Sequence, residues 1–197
     1  MDDMQLQTAE TIIVVGGSAG GIDAFKHVLG TVSADIQAAI AIVLHTSPGN
    51  SRMLADLWNE HSALPVSYAT QGQPIRTGHV YVAPPDQHLH VSTERCLRLD
   101  YGPNVLYLRP SVDQLFETAV RAYGKRTIGV ILTGGDDDGA HGMRAIHAAG
   151  GIGIVQEPSD AKDPSMPLTS LRADHPRYCV PLRDIGELLN DLAARLA

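Results

Sequence analysis

The sequence predicts one α/β domain: a parallel sheet covered on both faces, with a local antiparallel hairpin. Short continuous runs of apolar, mostly β-branched residues recur along the chain, and each leads through a turn into a stretch of helical periodicity. The middle of the chain instead alternates with period two. At 197 residues and 44% hydrophobic, the chain has material for one sizeable core.

The elements follow in order. "TIIVV" (Thr11–Val15) is a buried strand, leading to a helix near Gly21–Val32 with Ile22, Phe25, Val28 and Leu29 on one face. "AIAIVL" (Ala39–Leu44) is a second strand, followed by a helix near Ser51–Glu60. "HVYVAPP", "HLHVS" and "CLRLD" alternate between turn signals, which predicts an antiparallel hairpin around Val80–Asp100. Ser111 with Gln114, and Asp184 with Glu187, have the spacing of capping boxes at helix starts. "TIGVIL" (Thr127–Leu132), a helix over Gly139–Ala149 and "IGIV" (Ile152–Val155) complete the pattern.

Composition narrows the function classes. A net charge of −7 argues against nucleic acid as the main partner. The longest apolar run, Ala38 to Leu44, is far short of the roughly 20 residues that span a bilayer. "MDDMQLQTAE" lacks the basic and apolar regions of a signal peptide. Cys96 and Cys179 have neither metal-ligand spacing nor the density of a disulfide scaffold. A cytoplasmic protein is expected.

The first strand opens into "GGSAGG", a serine among four glycines. As a phosphate loop the stretch lacks the terminal Lys-Ser/Thr, and as a dinucleotide fingerprint it has Ser18 where the middle glycine belongs. A serine that merely caps the next helix is a second reading. The third is a nucleophile: Gly16 to Gly20 match G-x-S-x-G, a sharp strand-to-helix turn that exposes Oγ above the strand ends. A nucleophilic serine needs a base and an orienting acid. His45 directly follows the second strand, and Asp136, Asp137 and Asp138 stand in the turn after "VILTGG". In an open parallel sheet all three strand ends reach one rim, where chemistry collects. At least two of the three aspartates are expected to be structural or solvated.

With these residues in view, the sequence resembles the catalytic domain family of the chemotaxis methylesterase CheB. The resemblance runs from about Ile12 to Leu192. It rests on "GGSAGG", "LHTSPGNSRMLADLW", "GHVYVAPPDQHLHV", "RPSVDQLF", "ILTGGDDDGAHGM" and "SMPLTSL" in that order. It implies a three-layer α/β/α sandwich with a doubly wound, mostly parallel sheet. It also implies hydrolysis of glutamyl methyl esters on the cytoplasmic domain of chemoreceptors, with deamidation of glutamines as a companion activity, and it implies no cofactor and no metal. Carried over by position, Ser18 is the nucleophile, His45 the base and Asp138 the acid. The choice of Asp138 rests on the "DGAxGM" frame. The amide of Ala19 and a donor in the turn holding Gly134 and Gly135 become candidates for the oxyanion hole, with Met166 beside them.

The chain departs from the family pattern in four places. Gly135 and Asp136 stand where "TGMGxDGA" has Met and Gly, Thr46 where "HM" is usual, "LYLRPSVD" where "HRPSVD" is known, and Leu168 within "MPLTSL" where "MPRxA" is common. These departures keep open a methylesterase-like domain that binds a partner without catalysis. A serine esterase of another fold would draw its base from His141, His147 or His175, after the aspartates. The ten residues before the first strand cannot hold a receiver domain, so the expectation is one domain over 1–197 with its core at about 11–192.

Overall fold

The computed structural model describes residues 7–45, 53–106 and 108–197. Its strands are β1 (Ile12–Gly17), β2 (Ala39–Leu44), β3 (Val66–Tyr68), β4 (Val80–Val82), β5 (His88–Val91), β6 (Leu97–Asp100), β7 (Thr127–Ile131), β8 (Ile152–Gln156) and β9 (Tyr178–Val180). Its helices are α1 (Gly21–Thr31), α2 (Leu54–Asn59), α3 (Val112–Tyr123), α4 (Ala140–Ala148), α5 (Ser165–Ala173) and α6 (Leu182–Leu196). Seven strands form one parallel sheet in the order β3-β4-β2-β1-β7-β8-β9, while β5 and β6 pair only with each other, antiparallel.

Every residue of β1, β2, β7 and β8 is buried, because helices cover both faces. Alternate strand residues therefore feed two cores. Ile13, Val15, Ile40, Ile42 and Val130 pack with Phe25 of α1, Trp58 of α2 and Leu189 of α6. Ile12, Val14, Val43, Ile131 and Val155 pack with Phe116 of α3, Met143 of α4 and Leu97 of the hairpin. Each such aliphatic side chain contributes about 1.5–3 kcal/mol of transfer free energy. Trp58, fully buried, satisfies its indole N–H by donating to the Ile22 carbonyl at 3.1 Å.

The three-layer sandwich, the parallel sheet and the hairpin agree with the sequence reading; several details do not. "HVYVA" belongs to β4, a parallel strand of the main sheet, and not to the hairpin. Tyr81 made the run look half-exposed, yet its ring is buried and its hydroxyl reaches the Pro74 carbonyl at 3.2 Å. β3 and β9, of three residues each, are too short to carry a periodicity. Ile22, expected in the core, is 38% exposed, and Ala24 takes the buried position. Ser111 does cap α3, accepting from the Gln114 amide at 3.4 Å. Asp184 does not cap α6, which begins at Leu182 behind Pro181 and leaves Asp184 in its first turn. Of the expected second helix, Leu54–Asn59 is helical, and residues 46–52, with Thr46, lie outside the described residues. No helix among the described residues is long and apolar enough to cross a membrane.

Candidate active site

The sheet changes direction between β1 and β7: the chain leaves β1 toward β2 and later returns to β7 on the other side. Ligands gather at such a switch point, beyond the carboxyl ends of the strands. β1 and β2 run in register to Gly17 opposite Leu44, and the His45 amide continues the ladder onto the Gly17 carbonyl at 3.0 Å. Ser18 and His45 are thus the next residues along two neighbouring strands. On the other side the Ser18 amide donates to the Thr133 carbonyl at 2.9 Å.

The serine turn is braced without using the serine hydroxyl. The Gly21 amide donates to the Ser18 carbonyl at 2.8 Å, and Gly20 caps α1 in the left-handed region (φ 82°) with no side-chain acceptor. Ser18 therefore does not cap the helix, which removes the bland alternative. The Thr133 hydroxyl donates to the Ala19 carbonyl at 2.9 Å. A Cβ on Gly134 would collide with Met166 Sδ and stand 2.9 Å from Ser18 Cβ, so only glycine lets the β7 turn approach the serine. Met166 is buried beneath that turn, its amide donating to the Gly134 carbonyl at 2.9 Å.

His45 is buried at the side chain, 6% exposed. Its Nε2 lies 3.0 Å from Asp138 Oδ2 and its Nδ1 lies 2.9 Å from Asp136 Oδ2. Burial alone would push its pKa down; hydrogen bonds and charge from Asp136 and Asp138 outweigh that and raise it to about 9.

Asp138 has no side-chain exposure and sits at the start of α3. It accepts from the Val112 amide (2.6 Å), the Asp113 amide (2.9 Å) and the Ser111 hydroxyl (3.0 Å). Burial pushes its pKa up, but these donors and His45 hold the carboxyl below the usual range. Asp113 returns the favour: its Oδ1 accepts from the Gly139 and Gly142 amides, at 3.0 and 2.7 Å, closing the start of α4. Burial, with the Asp138 charge adding, lifts Asp113 to about 6. Asp137 is exposed and accepts from the Thr169 hydroxyl at 2.7 Å.

Ser18 and His45 line one cavity of about 260 Å³, together with Ile22, Asp23, Leu44 and Lys162. Among the described residues no hydrogen bond engages the Ser18 hydroxyl or the Ala19 amide. The Gly134 amide is committed to the Asp163 carbonyl at 3.0 Å, and among the described residues no hydrogen bond engages the Gly135 amide. No group of His, Cys, Asp and Glu side chains suited to a metal ion occurs among the described residues. His147 and His175 line a separate cavity with Gly151 and Gly153, at the amino end of β8 and so at the opposite rim. His141 pairs with Arg144 on α4.

Sequence reasoning missed Asp136 as a partner of His45 and the "PSVD" stretch as the seat of Asp138. Ile22 and Lys162 were missed as cavity walls. An apolar residue such as Ile22 on the α1 face, directly after a candidate nucleophile, was the available signal.

Comparison with known proteins places the chain in a family. The family model described as CheB methylesterase matches residues 13–189. A Leptospira interrogans protein bearing the methylesterase/glutaminase name is 38% identical over 180 residues, covering 89% of this chain and 91% of its own. The Symbiobacterium thermophilum protein-glutamate methylesterase/protein-glutamine glutaminase is 36% identical over 90% of this chain, which spans only 49% of that relative. The crystal structure of the Thermotoga maritima CheB methylesterase catalytic domain superposes with a TM-score of 0.89 at 30% identity, covering 92% of this chain and 98% of that one. The parallel sheet, the serine turn at its switch point and these likenesses converge: the chain belongs to the CheB methylesterase family.

Proposed function

We propose that the chain hydrolyses γ-glutamyl methyl esters on the cytoplasmic domain of a chemoreceptor, with Ser18 as nucleophile, His45 as general base and Asp138 as the acid that orients it. The observation that carries this reading is the alignment of β2, β1 and β7, which end side by side and set His45, Ser18 and the Asp138 turn on one rim. The relatives' names, which pair methylesterase with glutaminase, support the ester and its amide counterpart as substrates.

In the reaction, neutral His45 takes the Ser18 proton as Oγ bonds to the ester carbonyl carbon. The carbonyl oxygen gains the electron pair and faces the amides of Ala19 and Gly135. Collapse of this intermediate breaks the bond to the methoxy oxygen, and His45 returns the proton so that methanol leaves. Water, deprotonated by His45, then attacks the acyl-serine, releasing the glutamate side chain and restoring Ser18. Asp138 fixes the ring and stabilises the imidazolium formed in between. A glutamine would follow the same path with ammonia leaving. Ile22 and Leu44 offer apolar walls for the glutamyl methylenes, and Lys162 a cation for neighbouring acidic residues of the receptor helix.

Methanol release from a methylated receptor fragment tests the reading. Ser18→Ala should abolish release while circular dichroism stays unchanged. Retained release in that variant, or binding of the fragment without turnover by the wild type, overturns it.

A further inference from the structure

His45 is held at both ring nitrogens, and that is not how a general base waits for a serine. A neutral imidazole has one N–H and one lone pair, and a lone pair aimed at a carboxylate oxygen is repelled. Contacts of 2.9 and 3.0 Å to Asp136 and Asp138 therefore describe an imidazolium donating from both sides. Such a ring has no lone pair for the Ser18 proton. The two carboxylates differ in how firmly they are fixed. Asp138 is fully buried and pinned by Ser111, Val112 and Asp113. Asp136 is 25% exposed, and among the described residues its other oxygen accepts only from the Asp138 amide, at 3.0 Å. Of the two, Asp136 is the one free to let go.

We propose that Asp136 is a brake on the catalytic pair: it occupies the ring nitrogen of His45 that must face Ser18, and turnover requires that contact to open. The inference rests on the hydrolase reading above. Among the described residues, the titratable groups facing His45 are few. Asp136 and Asp138 come from the β7–α4 turn, with Asp113 of α3 behind Asp138. Asp23 of α1 and Lys162, between β8 and α5, share its cavity. Of the two carboxylates bonded to His45, Asp136 is the one whose removal leaves the Asp138 carboxylate seated on α3. A docked receptor helix that offers Asp136 another partner, or loss of the His45 proton at alkaline pH, would release the nitrogen. The family stretch "TGMGxDGA" has glycine at this position, so the brake is a property of this chain's own turn.

The test compares wild type with Asp136→Asn, which keeps the side-chain shape, and Asp136→Gly, which restores the family residue. The His45 ring is titrated by NMR on histidine-labelled protein, and Ser18 reactivity is followed across pH with a fluorophosphonate. The His45 midpoint should fall by about one pH unit or more in both variants, and Ser18 labelling at pH 7 should rise roughly tenfold with it. A midpoint that stays put, or labelling that does not accelerate, overturns the brake. Neither readout needs the receptor ester. Faster labelling without methanol release would sink the esterase reading and leave the brake standing.

Discussion

The amino end of α1 and the paired amino ends of α3 and α4 meet at the same rim of the sheet, and they are finished in opposite ways. α1 is capped by Gly20, with no side chain accepting from its leading amides. α3 and α4 are sealed by each other's chain: Asp138, just before α4, closes α3, and Asp113, in the first turn of α3, closes α4. Every helix start carries unsatisfied amides and a partial positive charge. Where buried carboxylates neutralise it, the charge serves the fold. Where a glycine leaves it open beside Ser18, it is free for the oxyanion of the proposed reaction. In the proposed reaction, the difference separates the acid that must not move from the turn that receives a substrate.

Substitutions at the two ends sharpen that contrast. The largest effect on activity is at the open end: Ser18→Ala should remove methanol release altogether yet change unfolding free energy by less than about 0.5 kcal/mol, since its hydroxyl holds nothing in place. The largest effect on stability comes through His45. Its pKa rises from about 6.5 unfolded to about 9 folded, so the protonated ring stabilises the fold in full below about pH 6.5 and progressively less as pH rises to 9. Denaturant melts should lose on the order of 3 kcal/mol across that window. His45→Gln should flatten the profile, and an unflattened one would mean that another group is responsible.

At the sealed end, Asp113→Ala should cost about 2–3 kcal/mol, because it strands the buried amides of Gly139 and Gly142. Asp113→Asn keeps an acceptor oxygen and should recover most of that loss; equal damage from both would refute the reciprocal cap. Gly20→Ala should cost at least about 1 kcal/mol, read from denaturant melts, from placing a Cβ at φ 82°. Its Cβ also meets Lys162 Cβ at 2.8 Å, an atom fixed to its own backbone, so the chain around Lys162 must give way as well.

Much of this was legible in the residues. β1, β2, β7 and β8 announce themselves because strands buried on both faces are continuous apolar runs. The rim position of Ser18, His45 and the aspartates follows from strand order alone. β4 was assigned to the wrong sheet because Tyr81 buries its ring while its hydroxyl bonds the backbone, a mixed character that mimics alternation. The double hold on His45 was not legible: three aspartates in a row look alike until the turn sends Asp136 to the histidine, Asp137 to Thr169 and Asp138 under α3. The role of "PSVD" needed the third dimension as well, since α3 lies some 25 residues from the carboxylate it receives.

The pairing of β1 with β7 has a consequence in time. Ile12 sits opposite Thr127, so the two strands flanking the serine meet only after more than a hundred residues of intervening chain have been made. During synthesis β1 and β2 can pair early, placing Ser18 beside His45 while the acid, its helical seat and the Thr133 brace are still missing. Under the proposed mechanism a nascent chain thus carries a nucleophile with no oriented base, and hydrolytic competence waits until β7 joins β1 at the centre of the sheet.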